Sequence, residues 1–235
     1  MLMLAIERST RRPGWALFRG RECVRQSDAD EDPSRAPAWL ARLAETLASE
    51  GLAPASVRQL AVGLGPGSFS GIRSAIAACQ GFALPGDCAV AGVSGAAALA
   101  LAAMAPDGGG GPVAVVGDAR RQLLWCGVYA REAVSGRLLV ATGGEPRPPT
   151  HTAEDFGLAA WDDLGRLIPP GARVLSPDWD RIGPGLAARV PPTQLVAGVR
   201  LPSAADVGRL VLADPAAARS EPLPIYLHPA VESKA

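Results

Sequence analysis

The 235-residue sequence predicts an α/β protein of two lobes. Short apolar runs alternate with amphipathic stretches, the order βββαβαβα recurs, and a break at residues 106–112, Pro-Asp-Gly-Gly-Gly-Gly-Pro, divides the two copies. Four glycines between prolines sustain neither regular element, so the break reads as a linker. The expected organisation is a first lobe at 1–105, the linker at 106–112, a second lobe at 113–220 and a tail at 221–235.

In the first copy, strands are expected near 2–6, 14–19 and 21–27, with Pro13-Gly14 turning the chain between the first two. Asp28, Asp30, Glu31 and Asp32 form a charge run that reads as a solvated loop before a helix over about 37–50. Leu60 to Leu64 is short and apolar, as a buried strand requires, and anchors a strand at 59–64. The chain then enters Gly63-Leu64-Gly65-Pro66-Gly67-Ser68-Phe69-Ser70-Gly71-Ile72-Arg73, a glycine-dense turn that feeds a helix. Its glycines permit positive φ or close backbone approach, and Ser68 and Ser70 are both candidate N-caps. Along the helix, Ile72, Ala75, Ile76, Cys79, Phe82 and Ala83 recur at core-facing spacing. Gly71, Ser74, Ala78 and Gly81 make a second stripe of small side chains, which serves either an internal contact or a partner. A strand at 88–93 and an alanine-rich helix capped by Ser94 complete the copy.

The second copy is expected as strands near 113–117, 122–130 and 137–141, a helix around 152–158, a strand at 173–175, a helix at 180–189, a strand at 193–197 and a helix at 203–213. Two such copies, each a mixed sheet covered by helices, are the layout of the actin-like (ASKHA, ribonuclease H-like) fold. In that fold a nucleotide lies between the lobes, but fold alone does not assign the use.

A 48% hydrophobic content supports a real core, and the 23 basic and 23 acidic residues cancel, so no overall field draws the chain to nucleic acid or to anionic membrane. Cys23, Cys79, Cys88 and Cys126 are scattered and read as reduced cytosolic thiols. The opening Met-Leu-Met-Leu-Ala-Ile lacks a basic flank and reads as a strand rather than a leader. The longest apolar run, 96–105, is well short of the ~20 residues that span a bilayer. Lys234 is the only lysine, which nearly excludes lysine-dependent chemistry, including Schiff bases and the lysine of a P-loop.

Gly65-Pro66-Gly67-Ser68-Phe69-Ser70-Gly71-Ile72-Arg73 resembles the signature of the TsaB (YeaZ) family, with Ser70 in place of threonine. Leu4-Ala5-Ile6, Gln80-Gly81, Leu84, Gly92-Val93-Ser94, Asp118-Ala119-Arg120 and Pro224-Ile225-Tyr226-Leu227 extend the similarity over most of the chain. The resemblance implies a cytoplasmic, non-catalytic subunit of the machinery that makes threonylcarbamoyladenosine in tRNA. It would pair as a dimer with a TsaD-like protein through first-lobe helices, including Gly71, Ser74, Ala78 and Gly81, with a TsaE-like ATPase as a further partner. Such a subunit carries no cofactor of its own, meets ATP at most at a subunit interface, and reaches tRNA through the complex. The sequence departs from the family at Glu7-Arg8-Ser9, where Asp-Thr-Ser or Asp-Thr-Ala is usual, and at Pro33-Ser34-Arg35, where a histidine is common. Glu7 carries its carboxylate one methylene further, and Arg8 puts a bulky cation where a small hydroxyl would face phosphate. Glu7, Ser9 and Asp118 therefore read as a vestigial nucleotide cleft.

Other chemistries fare less well. A metal hydrolase needs clustered ligands, yet His151 and His228 are the only histidines and each reads as a surface or loop residue. The spacing fits neither Gly-x-Gly-x-x-Gly nor a Gly-x-Ser-x-Gly nucleophile elbow. An actin-like ATPase would place metal on Glu7 or Asp118 and phosphate on Ser9 or Arg8. Against it, Asp118 reads as a strand-end carboxylate paired with Arg120 or accepting turn amides, and Arg73 as a brace for the turn or a reach to a partner. Arg11, Arg12, Arg19, Arg21 and Arg25, with Trp15 and Phe18 between them, read as an exposed hairpin rather than an RNA surface. A homodimer on the same small-residue stripe stays open as a third reading.

Overall fold

The computed structural model describes residues 1–27, 38–84, 88–105 and 110–228. The acidic loop and Pro33-Ser34-Arg35, most of the linker, and the end of the tail with Lys234 lie outside these residues.

The first sheet is built from β1 (Leu2–Glu7), β2 (Gly14–Arg19), β3 (Glu22–Gln26), β4 (Val57–Gly63) and β5 (Ala89–Val93), in the order β3-β2-β1-β4-β5. β1 pairs antiparallel with β2 and parallel with β4. All six residues of β1 are buried, which is why Leu-Met-Leu-Ala-Ile reads as a continuous apolar run rather than an alternating one. Helices α1 (Ala38–Ser49) and α2 (Phe69–Ala83) cover one face of this sheet through Trp39, Leu43, Leu47, Ile72, Ala75, Ile76 and Cys79.

The second sheet repeats the plan. It runs β11 (Leu195–Val199), β10 (Arg173–Ser176), β6 (Val113–Arg120), β7 (Leu123–Arg131), β8 (Leu138–Val140). Read from β8, this is the order of the first sheet, and the β6–β7 and β10–β6 pairings have the same antiparallel and parallel senses as β1–β2 and β4–β1. The fold is thus the actin-like two-lobed α/β fold that the element order predicts.

One element differs. The helix expected around 152–158 is a single 3-10 turn, Ala153–Asp155, followed by a strand, β9 (Gly157–Ala160), paired antiparallel with β7 from Leu123 to Cys126. Asp155 explains the change: its buried carboxylate accepts from the Thr150 and His151 amides, the Thr150 hydroxyl and Arg147, which ties the chain into a turn before a helix can propagate. Gly157 then lies under Leu167, where a Cβ would come within 2.8 Å of a methyl carbon.

The remaining helices join the lobes. α3 (Gly95–Ala103), from the first copy, packs on β6 and β7, and α5 (Ala204–Ala213), from the second, packs on β1, β2 and β4. The two helices also touch each other, and with the inner faces of both sheets they form one continuous core. α3 is buried from Gly95 through Ala100 on all sides, so its composition is apolar all round and carries no stripe. On α5, a Cβ at Gly208 would lie 2.3 Å from the Phe18 ring, so glycine there lets the helix settle on the sheet. α4 (Trp179–Ala187) and the 3-10 segment Trp161–Arg166 close the outer face of the second sheet. Among the described residues, no helix is long and apolar enough to cross a membrane.

Candidate functional site: the glycine turn, the α2 face and the interlobe cleft

The glycine turn is fitted against the end of β1. Gly65 has φ +90, and the Gly65-Pro66 peptide is cis. A Cβ at Gly67 would meet the Ser9 carbonyl at 2.1 Å, and one at Gly71 the Arg8 carbonyl at 2.0 Å. The Ser68 amide donates to the Ser9 carbonyl at 2.6 Å. Of the two candidate caps, Ser68 does the work, its hydroxyl accepting from the Gly71 amide, while Ser70 lies inside the helix. Gly65 is held from the other side as well, its carbonyl accepting from the Gly95 amide at 2.9 Å and the Ser94 hydroxyl at 3.2 Å.

Beyond the turn, α2 shows an outward face. Phe69 is 57% exposed, with Arg73 4.8 Å over its ring and Tyr226 beside it at 5.5 Å between centroids. Further along, Ser74, Ala77, Ala78 and Gly81 border an apolar groove of about 630 Å³, with Trp39, Leu40 and Phe82 among its walls. Nothing stands where a Cβ of Gly81 would point.

A second concavity of about 1020 Å³ lies between the lobes. Ser9, Arg11 and the first turn of α2 face Asp118, Arg120, Asp178 and Arg181 across it, with Tyr226 and His228 at the rim. Asp118 is fully engaged: its carboxylate accepts from the Arg120 amide at 2.7 Å, pairs with Arg181 at 3.1 Å and lies 3.5 Å from the Arg120 guanidinium. Arg181 is also bonded to Asp178, which raises its pKa, and the Asp118 amide donates to Asp178 at 2.9 Å. Arg11 and Asp180 pair across the mouth at 2.5 Å.

Solved structures share this fold. A Pseudomonas aeruginosa protein described as similar to the peptidase YeaZ superposes with a TM-score of 0.70 at 26% identity, covering 97% of this chain and 99% of that one. YeaZ from Pseudomonas aeruginosa gives a TM-score of 0.67 at 25% identity, covering 96% of this chain and 100% of that one. The chain is similar to YeaZ. The TsaD family, described as tRNA N6-adenosine threonylcarbamoyltransferase, also matches over residues 38–141, from α1 to the end of the β8 region. No curated protein matches.

On the YeaZ-like frame the sequence-derived residues separate. Gly65, Pro66, Gly67, Ser68, Phe69 and Ser70 form one turn, with Arg73 on the Phe69 ring. Gly71 faces the Arg8 backbone, whereas Ser74, Ala78 and Gly81 face the groove. Ser9 and Asp118 line the same cleft, whereas Glu7 is not part of its lining and instead accepts a hydrogen bond from the Ser9 amide. Glu7 is fully buried beneath the cleft wall, where a Cβ on Gly63 or Gly95 would meet its Oε2, and burial raises its pKa despite hydrogen bonds from Ser9. Arg8 lays its guanidinium 4.7 Å over the Trp39 ring.

The two histidines correct a sequence expectation in part. His151 is in a loop but not at the surface: it is 1% exposed, and its Nδ1 accepts from the Ser94 amide at 3.2 Å. Burial lowers its pKa to about 4. His228 instead bonds the Ala119 carbonyl. Among the described residues, no three His, Cys, Asp or Glu side chains are clustered to hold a metal. Trp15 and Phe18 are buried, so the arginine-bearing hairpin has no ring from either to stack on a base. Sequence reasoning missed the groove, because Trp39, Leu40 and Phe82 come from separate helices. It also missed His151, whose positive φ of 54 leaves no mark in the residue type.

Proposed function

We propose that the chain is a non-catalytic scaffold of the tRNA threonylcarbamoyladenosine complex that pairs with a TsaD-like protein through α1 and α2. The observation that carries this reading is the apolar groove bordered by Ser74, Ala77, Ala78 and Gly81. Small side chains along a helix let a partner helix approach closely, and the flanking Trp39, Leu40 and Phe82 supply apolar area toward the roughly 800 Å² per partner of a stable interface. The YeaZ-like architecture and the TsaD-family match over α1 and α2 support the same assignment. So does the cleft chemistry: Glu7 sits below the wall, and Asp118 is neutralised by two arginines, so neither is placed as an open ligand.

Ala78→Arg puts a charge into the groove and is expected to abolish co-purification with TsaD while leaving the urea midpoint of the isolated chain near its original value. Retained pairing removes the interface assignment. Gly71 is unsuited to this test, because any side chain there strikes the Arg8 carbonyl. Whether the chain works in the pathway is read by substituting it for the authentic subunit in reconstituted tRNA modification with TsaD and a TsaE-like ATPase. A homodimer on the same face would show in light scattering without TsaD.

A second reading, an ATP-binding enzyme, draws on the size of the interlobe cleft. Calorimetry with ATP and magnesium separates the two: micromolar binding lost in Asp118→Asn favours the enzyme.

A further inference from the structure

The segment after α5 returns to the first sheet and then crosses to the second lobe. Arg219 exchanges both backbone hydrogen bonds with Gly92 of β5, at 2.8 and 2.9 Å. Ile225, only 5% exposed, donates its amide to the Leu64 carbonyl, at the start of the glycine turn, and packs in the same core as Ile72 and Ile76 of α2. Tyr226 lies on Phe69, the first residue of α2. Two residues on, His228 Nε2 is 2.5 Å from the Ala119 carbonyl, at the end of β6.

That end is a strained hairpin. Arg120, Arg121 and Gln122 have φ of 67, 51 and 62, three consecutive left-handed residues without a glycine. Side chains disfavour this region, so the conformation persists only where surrounding contacts impose it. Asp118 supplies one contact through the Arg120 amide, and His228 supplies another through Ala119. A further link across the cleft mouth, Arg11 with Asp180, joins side chains 64% and 57% exposed, and such pairs hold little.

We propose that residues 219–228 form a clasp that couples the first turn of α2 to the β6–β7 hairpin, so that loosening either end loosens the other. Its two ends are a ring contact and a hydrogen bond, each removable alone, and between them the chain is anchored by Ile225. The coupling makes the order of the cleft rim depend on the α2 turn whatever partner α2 takes, so it stands apart from the pairing reading above.

The test is hydrogen–deuterium exchange on the full chain, breaking one end and reading the other. Tyr226→Leu is expected to raise exchange at the Arg120 amide about three- to tenfold, the range of one lost hydrogen bond's worth of local stability. His228→Ala is expected to do the same at the Ile72 amide, which donates to Ser68. His228→Gln keeps an N–H donor and is expected to stay near the original at both sites. Exchange that rises only beside each substitution, with the far end unchanged, overturns the proposal. If His228→Ala does not fold, Tyr226→Leu decides alone, since Tyr226 is 47% exposed and contributes little to the core.

Discussion

Glu7 and His151 are both buried and titratable, and burial moves them in opposite directions. His151 falls from 6.5 to about 4, so the unfolded chain binds the extra proton between these values. Stability from this residue is complete above pH 6.5 and is lost as pH falls toward 4, by up to about 3 kcal/mol. His151→Phe should flatten that part of a urea-midpoint profile, and should lower stability at pH 7.5 by about 1–3 kcal/mol because the Ser94 amide loses its acceptor. Glu7 runs the other way: its pKa is raised, so the folded chain holds the proton more tightly and stability falls as pH rises through the folded value. Glu7→Gln mimics the protonated side chain and should gain on the original chain as pH is raised from 5 to 8, measured by the same midpoints. Neither environment was legible in the sequence. Glu7 could be placed at a strand end, but whether its carboxylate faced the cleft or the interior depended on Gly63 and Gly95, both distant along the chain.

At the scale of elements, what local chemistry decides was legible and what distant packing decides was not. Ser68 and Ser94 sit at the caps expected of them, because a hydroxyl three residues before a free amide is a local arrangement. The core stripe of α2 came out as spaced over Ile72, Ala75, Ile76 and Cys79, which are buried, whereas Phe82 and Ala83 at its end are half-buried and Phe82 walls the groove. β9 did not, because its pairing with Leu123 to Cys126 joins segments about 30 residues apart and is prepared by the side-chain bonds of Asp155. Glycine contacts give a direct check on element packing. Gly71→Ala forces a methyl into the Arg8 carbonyl, and Gly208→Ala forces one into Phe18. Each is expected to destabilise by about 1–3 kcal/mol in denaturant titration, whereas Gly81→Ala, with open space beyond it, should change the isolated chain by less than about 1 kcal/mol.

For the whole molecule, the decisive feature is that each copy contributes its last helix to the joint core. The repeat was legible in the order of the elements, yet no periodicity says which sheet a helix will choose. α3 carried a partial hint, since a helix apolar on every side must be enclosed on every side. It follows that the copies should not fold apart. Residues 1–112 lack α5 and would expose the inner faces of β1, β2 and β4. That fragment is expected to aggregate or stay unfolded by circular dichroism, and co-expression with 113–235 should recover a folded pair. Independent, cooperative unfolding of each fragment would show that the shared core matters less than its position suggests.

The alanines of α3 also act as a spacer of fixed thickness. From Ala96 to Ala100 only Leu99 has a side chain longer than one carbon, so α3 adds little beyond its own backbone between α5 and the second sheet. A leucine at Ala97 would jack the two halves apart at their waist, and the gape between Ser9 and Asp178 would widen with it. Single methyl groups thereby gauge the opening between the lobes.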